Sequence, residues 1–153
     1  MIHFTTSFTV PAPLAAVSAF HGQTSILKKL SPPPLYVQIH EFGAMKEGMV
    51  AKFTMWFGPV PVYWEAVHSQ VSENGFTDTQ QVGPLKSWQH THRFVAEGEN
   101  LTRVHESIDY EHPAGWRGWL TRMVFGKLGL HGLFLYRQWV TRRGVARLLK
   151  GNS

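Results

Sequence analysis

The chain has 153 residues, 43% of them hydrophobic and 16% charged, with ten Phe and six Trp, so it is neither disordered nor long enough for two ordinary domains. The formal net charge of +5 is concentrated in residues 114–153, which hold eight Lys or Arg and no acid, but those bases are interleaved with Trp, Leu and Phe, which argues against a nucleic-acid-binding face. With no Cys there is neither a disulfide framework nor a thiolate metal site, and the start Met-Ile-His-Phe-Thr-Thr-Ser lacks the basic and apolar blocks of a secretion signal, so a soluble cytoplasmic protein is expected.

Residues 2–10 alternate, with Ile2, Phe4, Phe8 and Val10 on one face and His3, Thr5, Ser7 and Thr9 on the other, the period of a half-buried strand. Pro11-Ala-Pro13 breaks it. A short helix is expected over 14–20 and a second from Thr24 or Ser25 to Leu30, ended by Ser31 and the prolines 32–34. From 35 to 112 the pattern is that of an antiparallel meander, with strands near 35–42, 49–57, 60–71, 76–82, 86–96 and 101–111. Turns are marked by Glu73-Asn74-Gly75, Gly83-Pro84 and the stretch from Gly98 to Asn100. Beyond Pro113 the period becomes helical, with a stripe of Leu130, Leu133, Tyr136, Val140 and Leu148. Gly126, Gly129 and Gly144 lie close to that stripe, which implies tight packing on the sheet or a kink near Gly126. The expected fold class is α+β, one domain over 1–153: a curved antiparallel sheet of about seven strands, two short helices after the first strand, and a long C-terminal helix.

Strand, two short helices, meander and long helix together resemble the helix-grip superfamily, which includes START lipid-transfer domains, the birch-pollen allergen family and polyketide cyclase/dehydrase-like proteins. More specific are Phe76-Thr-Asp78-Thr-Gln80, Gly83-Pro84, Trp88-Gln-His90-Thr-His92-Arg-Phe94, residues 102–110 and Phe134-Leu-Tyr136-Arg137, which are similar to a bacterial subgroup called SRPBCC or cyclase/dehydrase-like. The resemblance covers nearly the whole chain. It implies a ligand space between sheet and helix, but the same frame serves carriers, receptors and cyclases, so chemistry must come from the site.

Alternation puts Trp88, His90, His92 and Phe94 on one face, and the aromatic flanks make that face the inner one. A turn near Gly98 to Asn100 brings the next strand back opposite, with Val104, Glu106, Ile108 and Tyr110 inward and Glu106 near His92. Phe76, Asp78, Gln80 and Val82 share a face, as do Trp64, Ala66 and His68. Buried polar groups of this kind must bond to one another, to water or to a ligand. Three readings follow. A self-satisfied network needs no ligand. A polar anchor at the end of an apolar cavity would use Asp78, Gln80, His90, His92 and Glu106, with Trp64, Trp88 and Tyr110 as walls. Catalysis or metal chemistry would draw on His90, His92, Glu106 and Asp78: two imidazoles and a carboxylate can hold iron or zinc, and the same groups can serve as acid and base in a cyclase, dehydratase or hydrolase.

The favoured reading is a binding or carrier domain for a hydrophobic small molecule or lipid, with no metal and no cofactor. A cyclase/dehydratase-like lyase is the first alternative. The second is an accessory domain working through a partner or an anionic membrane. For that, Trp116, Arg117, Trp119 and Arg122, or the Leu135, Trp139 and Arg142 face of the C-terminal helix, would supply a peripheral membrane contact or a homodimer surface.

Overall fold

The strands form where large apolar and β-branched side chains recur at every second residue. In the computed structural model, which describes residues 1–23, 25–41 and 44–151, the elements in chain order begin with β1 (Ile2–Val10), α1 (Leu14–His21) and α2 (Ile26–Lys29). The meander follows as β2 (Tyr36–Ile39), β3 (Val50–Phe57), β4 (Val60–Ser72), β5 (Gly75–Val82), β6 (Ser87–Gly98) and β7 (Leu101–Glu111). Two helices close the chain, α3 (Gly115–Phe125) and α4 (Lys127–Gly151).

All seven strands make one antiparallel sheet in the order β1-β7-β6-β5-β4-β3-β2. The meander therefore runs from β2 at one edge to β7, and β1 returns to pair with β7, Ile2 opposite Tyr110 and Val10 opposite Thr102. Register shifts in β4, between Glu65 and Ala66 and again between Ser69 and Ser72, mark bulges of the kind that bend a strand and increase its twist. The concave face so formed is covered by α1 and α4.

Element types agree with the sequence reading, with differences at the ends. The strand expected over 35–42 is confined to Tyr36–Ile39, and Phe42 lies outside the described residues, as does Thr24 at the expected start of the second helix. One long C-terminal helix becomes two, because Gly126 takes an extended conformation (ψ 167°) between them. A Cβ there would sit 2.2 Å from the Arg122 carbonyl oxygen, so only glycine fits the break.

The stripe that α4 buries also differs. Leu130, Phe134, Thr141 and Val145 face the sheet, while Leu133, Tyr136 and Val140 are half-buried flanks and Leu148 is exposed. Phe134 takes the central place by stacking near Phe4 of β1, ring centres 5.5 Å apart. Helix α4 also receives α1 closely: a Cβ on Gly144 would lie 2.1 Å from the Phe20 ring. Gly144→Ala should therefore destabilise the fold, the overpacking cost of about 1–3 kcal/mol exceeding the helix-propensity gain of up to about 1 kcal/mol. Chemical denaturation would show this as a lower midpoint with unchanged slope.

Candidate functional site

The register of β4 to β7 decides which polar side chains meet. His68 of β4 is opposite Asp78 of β5, Asp78 is opposite His90 of β6, and His92 of β6 lies between Phe76 of β5 and Glu106 of β7. Gly75 makes the β5 to β6 approach possible: its φ is 137°, and a Cβ there would fall 1.9 Å from the His92 carbonyl oxygen. The result is a row of two carboxylates and three imidazoles across four strands, all buried except Asp78, which is half-buried.

His92 is the centre of the row. Its Nδ1 is 2.8 Å from Glu106 Oε2 and its Nε2 is 3.4 Å from Asp78 Oδ2. The Nδ1 contact is close in distance but is not aligned as a hydrogen bond, so it acts chiefly through charge. Burial alone would lower the His92 pKa, yet the two carboxylates outweigh it and raise it to about 9, making this ring an imidazolium. The carboxylates respond in kind. Burial pushes both upward, but His92, with the other histidines, holds Asp78 below and Glu106 well below its ordinary value, so both are ionised.

His90 donates from Nε2 to Glu106 Oε2 at 2.8 Å, and its ring centre is 3.9 Å from that of His92. Burial, reinforced by the neighbouring His92 charge, lowers its pKa to about 4. It is therefore neutral, with its Nδ1 lone pair unprotonated. His21, at the end of α1, is the same: Nδ1 donates to the Val17 carbonyl at 2.9 Å, and burial takes the pKa to about 4. His68 sets Nδ1 against the Met49 carbonyl at 3.1 Å and Nε2 3.0 Å from Asp78 Oδ1.

A cavity of about 450 Å³ opens beside this row. Its walls are Phe53, Met55, Trp64, Trp88, Phe125 and Leu133, with Trp64 stacked on Phe53 and edge-on to Trp88 at 5.7 Å. Asp78, His90, His92, His21 and His68 line its polar end. Arg137 of α4 joins them. Its Nε donates to the Leu30 carbonyl at 3.3 Å and its guanidinium lies 5.2 Å from the Phe134 ring centre, but no carboxylate among the described residues is within ion-pair distance. Burial lowers its pKa, offset in part by the fields of Glu106 and Asp78. An arginine remains a cation under such shifts, and this one is a lining residue of the cavity.

Trp64, Asp78, Trp88, His90 and His92 thus stand at the cavity, as alternation implies. Three other candidates do not. Gln80 donates through Nε2 to the Leu85 carbonyl at 2.8 Å and so holds the β5–β6 turn. Glu106, 3% exposed, lies beneath the histidines and acts through them. Tyr110 is core, packed behind Trp88 with ring centres 5.9 Å apart. Sequence reasoning passed over His21, His68 and Arg137. His68 shares a face with Trp64, and Arg137 follows Leu130 and Phe134 at helical spacing, so both carried a signal.

Asp78, His90 and His92 each offer a ligand atom, all within 4.8 Å of one another, and so could hold a divalent cation. A metal there would displace the proton that His92 holds and take over its charge-balancing role.

No family model matches the sequence, and no curated protein matches it. Solved structures do. The chain is similar to the Zhui aromatase/cyclase from Streptomyces sp. R1128 at TM-score 0.73 and 13% identity, covering 97% of this chain and 95% of that one. A START superfamily protein from Mycobacterium smegmatis gives TM-score 0.69 at 12% identity, covering 95% and 98%. Ara h 8.0201 gives 0.59 at 17%, covering 91% and 97%. The chain has the helix-grip fold. At these identities the likeness is one of architecture, and the chemistry rests on the residues above.

The titrations set a pH optimum for stability. His92, at 6.5 unfolded and about 9 folded, stabilises fully below pH 6.5 and loses that contribution as pH rises through 9. His21 and His90, at 6.5 unfolded and about 4 folded, penalise the fold as pH falls from 6.5 through 4, where the depressed carboxylates add to the loss. The melting temperature should peak near pH 6.5, and His92→Gln should flatten the decline between 6.5 and 9 in a melting series across pH.

Proposed function

We propose that the chain, acting as a single domain, binds an apolar small molecule or lipid in the space between sheet and α4. The observation that carries this reading is an aromatic-walled cavity of about 450 Å³ whose lining ends in polar groups, above all Arg137, whose terminal guanidinium nitrogens have no hydrogen-bond partner among the described residues. Small-molecule sites are built this way, apolar walls giving affinity and a few convergent polar groups fixing orientation. The relatives in fold include a START superfamily protein and an aromatase/cyclase, which is consistent with it.

The ligand's polar end is a carbonyl or hydroxyl oxygen. Arg137 donates to it, and the bare Nδ1 of His90 accepts from a hydroxyl. Asp78, His90 and His92 are the anchors, and Trp64 and Trp88 the walls.

Native mass spectrometry of protein purified without detergent tests this directly. A stoichiometric apolar adduct, identified after denaturation, is the expected result; an empty chain that also fails to take up N-phenyl-1-naphthylamine would overturn the reading. Arg137→Met should weaken binding of the released molecule roughly ten- to hundredfold, since a hydrogen bond to a charged group contributes about 1.5–3 kcal/mol.

One observation favours a second reading, acid–base catalysis. Neutral His90 and charged His92 are adjacent, a base beside an acid at the cavity wall. Mass analysis separates the two: a carrier releases its ligand unchanged, whereas an enzyme converts it, and His90→Gln abolishes the conversion while binding, still held by Arg137 and the apolar walls, weakens only in part.

A further inference from the structure

Helix α3 carries its apolar stripe on the wrong side for a core helix. Gly118, Thr121 and Phe125 face inward, while Trp116, Trp119, Leu120, Met123 and Val124, at the offsets of one helical face, point to solvent. Trp116 is 72% and Trp119 62% exposed, and Leu128, just past the Gly126 break, is 91% exposed. Arg117, Arg122 and Lys127 stand among these residues, all exposed, and no acid occurs anywhere in residues 114–153.

This face adjoins the cavity. Val124 belongs to both the exposed stripe and the cavity lining, as Phe125 beside it does to the lining. Pro33, Pro34 and Gly58 are likewise exposed lining residues, brought side by side because Tyr36 of β2 pairs with Trp56 of β3. The cavity thus has its mouth at the foot of an amphipathic helix whose outward side is aromatic and basic.

We infer that α3 is a docking face for an anionic lipid surface, which it meets with the mouth of the cavity turned toward the lipid. Tryptophan rings favour the boundary between headgroups and acyl chains, and the three bases match acidic headgroups. No helix among the described residues is long and apolar enough to cross a membrane, so α3 lies along the surface. A second copy of this chain is the poorer occupant, because it would set like charges against one another. An acidic protein would satisfy the charge but gives no reason for an apolar mouth beside it, whereas a leaflet is where apolar ligands reside.

Co-sedimentation tests this with vesicles of phosphatidylcholine mixed with phosphatidylglycerol, against phosphatidylcholine alone. The chain should sediment with the mixed vesicles at low salt and less as salt rises. Arg117→Glu with Arg122→Glu should lower the partition coefficient by about fivefold or more per base, and Trp116→Ala with Trp119→Ala should lower it several-fold. All four side chains are exposed, so melting temperature should hold; if either pair melts early, Arg117→Gln with Arg122→Gln replaces it. No sedimentation with the mixed vesicles, equal sedimentation of all variants, or a wild-type dimer that the Trp pair dissociates would each overturn the proposal. Because vesicle binding is read without ligand, a chain that fills its cavity but ignores vesicles sinks this inference and leaves the cavity reading standing.

Discussion

Two carboxylates, Glu106 fully buried and Asp78 half-buried at the cavity wall, lie in the middle of this sheet, and one imidazolium makes that tolerable. An isolated buried carboxylate is so costly that it gives up its charge. Here His92 lies between Glu106 and Asp78, and each of the three keeps the others ionised. The arrangement spans β5, β6 and β7 at one register, so a slip of a single residue would leave charges unpaired in the interior as well as turning rings outward. It also fixes the state of its neighbours. The His92 charge is what helps keep His90 neutral, and Glu106 is what holds the His90 ring in place.

The same row divides the interior in two. On β7, Glu106 sits between Val104 and Ile108, which belong to different apolar clusters. On the Val104 side, α1 and the C-terminal half of α4 pack tightly, Phe20 reaching Gly144 and Phe8, Phe76 and Phe94 filling the space between. On the Ile108 side, Phe53, Met55, Trp64 and Phe125 surround the cavity. The cavity lies mainly on the Ile108 side, with Phe76 of the other cluster also at its wall. The polar row is the partition, with Arg137 reaching toward it from α4.

Much of this was legible because strands report themselves. β1 and β7 match residue for residue, since alternation there is unbroken, and the same rule placed Asp78, His90, His92 and Glu106 on one face before any register was known. What alternation does not supply is distance from a cavity. Gln80 shares the inner face but turns back to the Leu85 carbonyl, and Tyr110 is covered by Trp88. Helices were harder. Leu133 and Phe134 are both apolar, so the sequence alone left the stripe of α4 free to rotate by one residue, and with it the inward place of Arg137 went unrecognised behind the habit of reading bases as solvated. His21 gave the least signal, its site depending on where α1 ends against β6.

The four shifted charges at the end of the cavity or directly beneath it, Asp78, His92 and Arg137 on its wall and Glu106 behind the histidines, come to two of each sign. A neutral guest leaves that balance alone. A carboxylic acid would tilt it by one unit, and the least costly correction is for the acid to keep its proton or for a neighbouring imidazole to gain one. On the proposed binding reading, selectivity at this end of the fold would be a matter of proton linkage as much as of shape: the acidity of the surroundings would become a second determinant of which molecules are retained and where they are released.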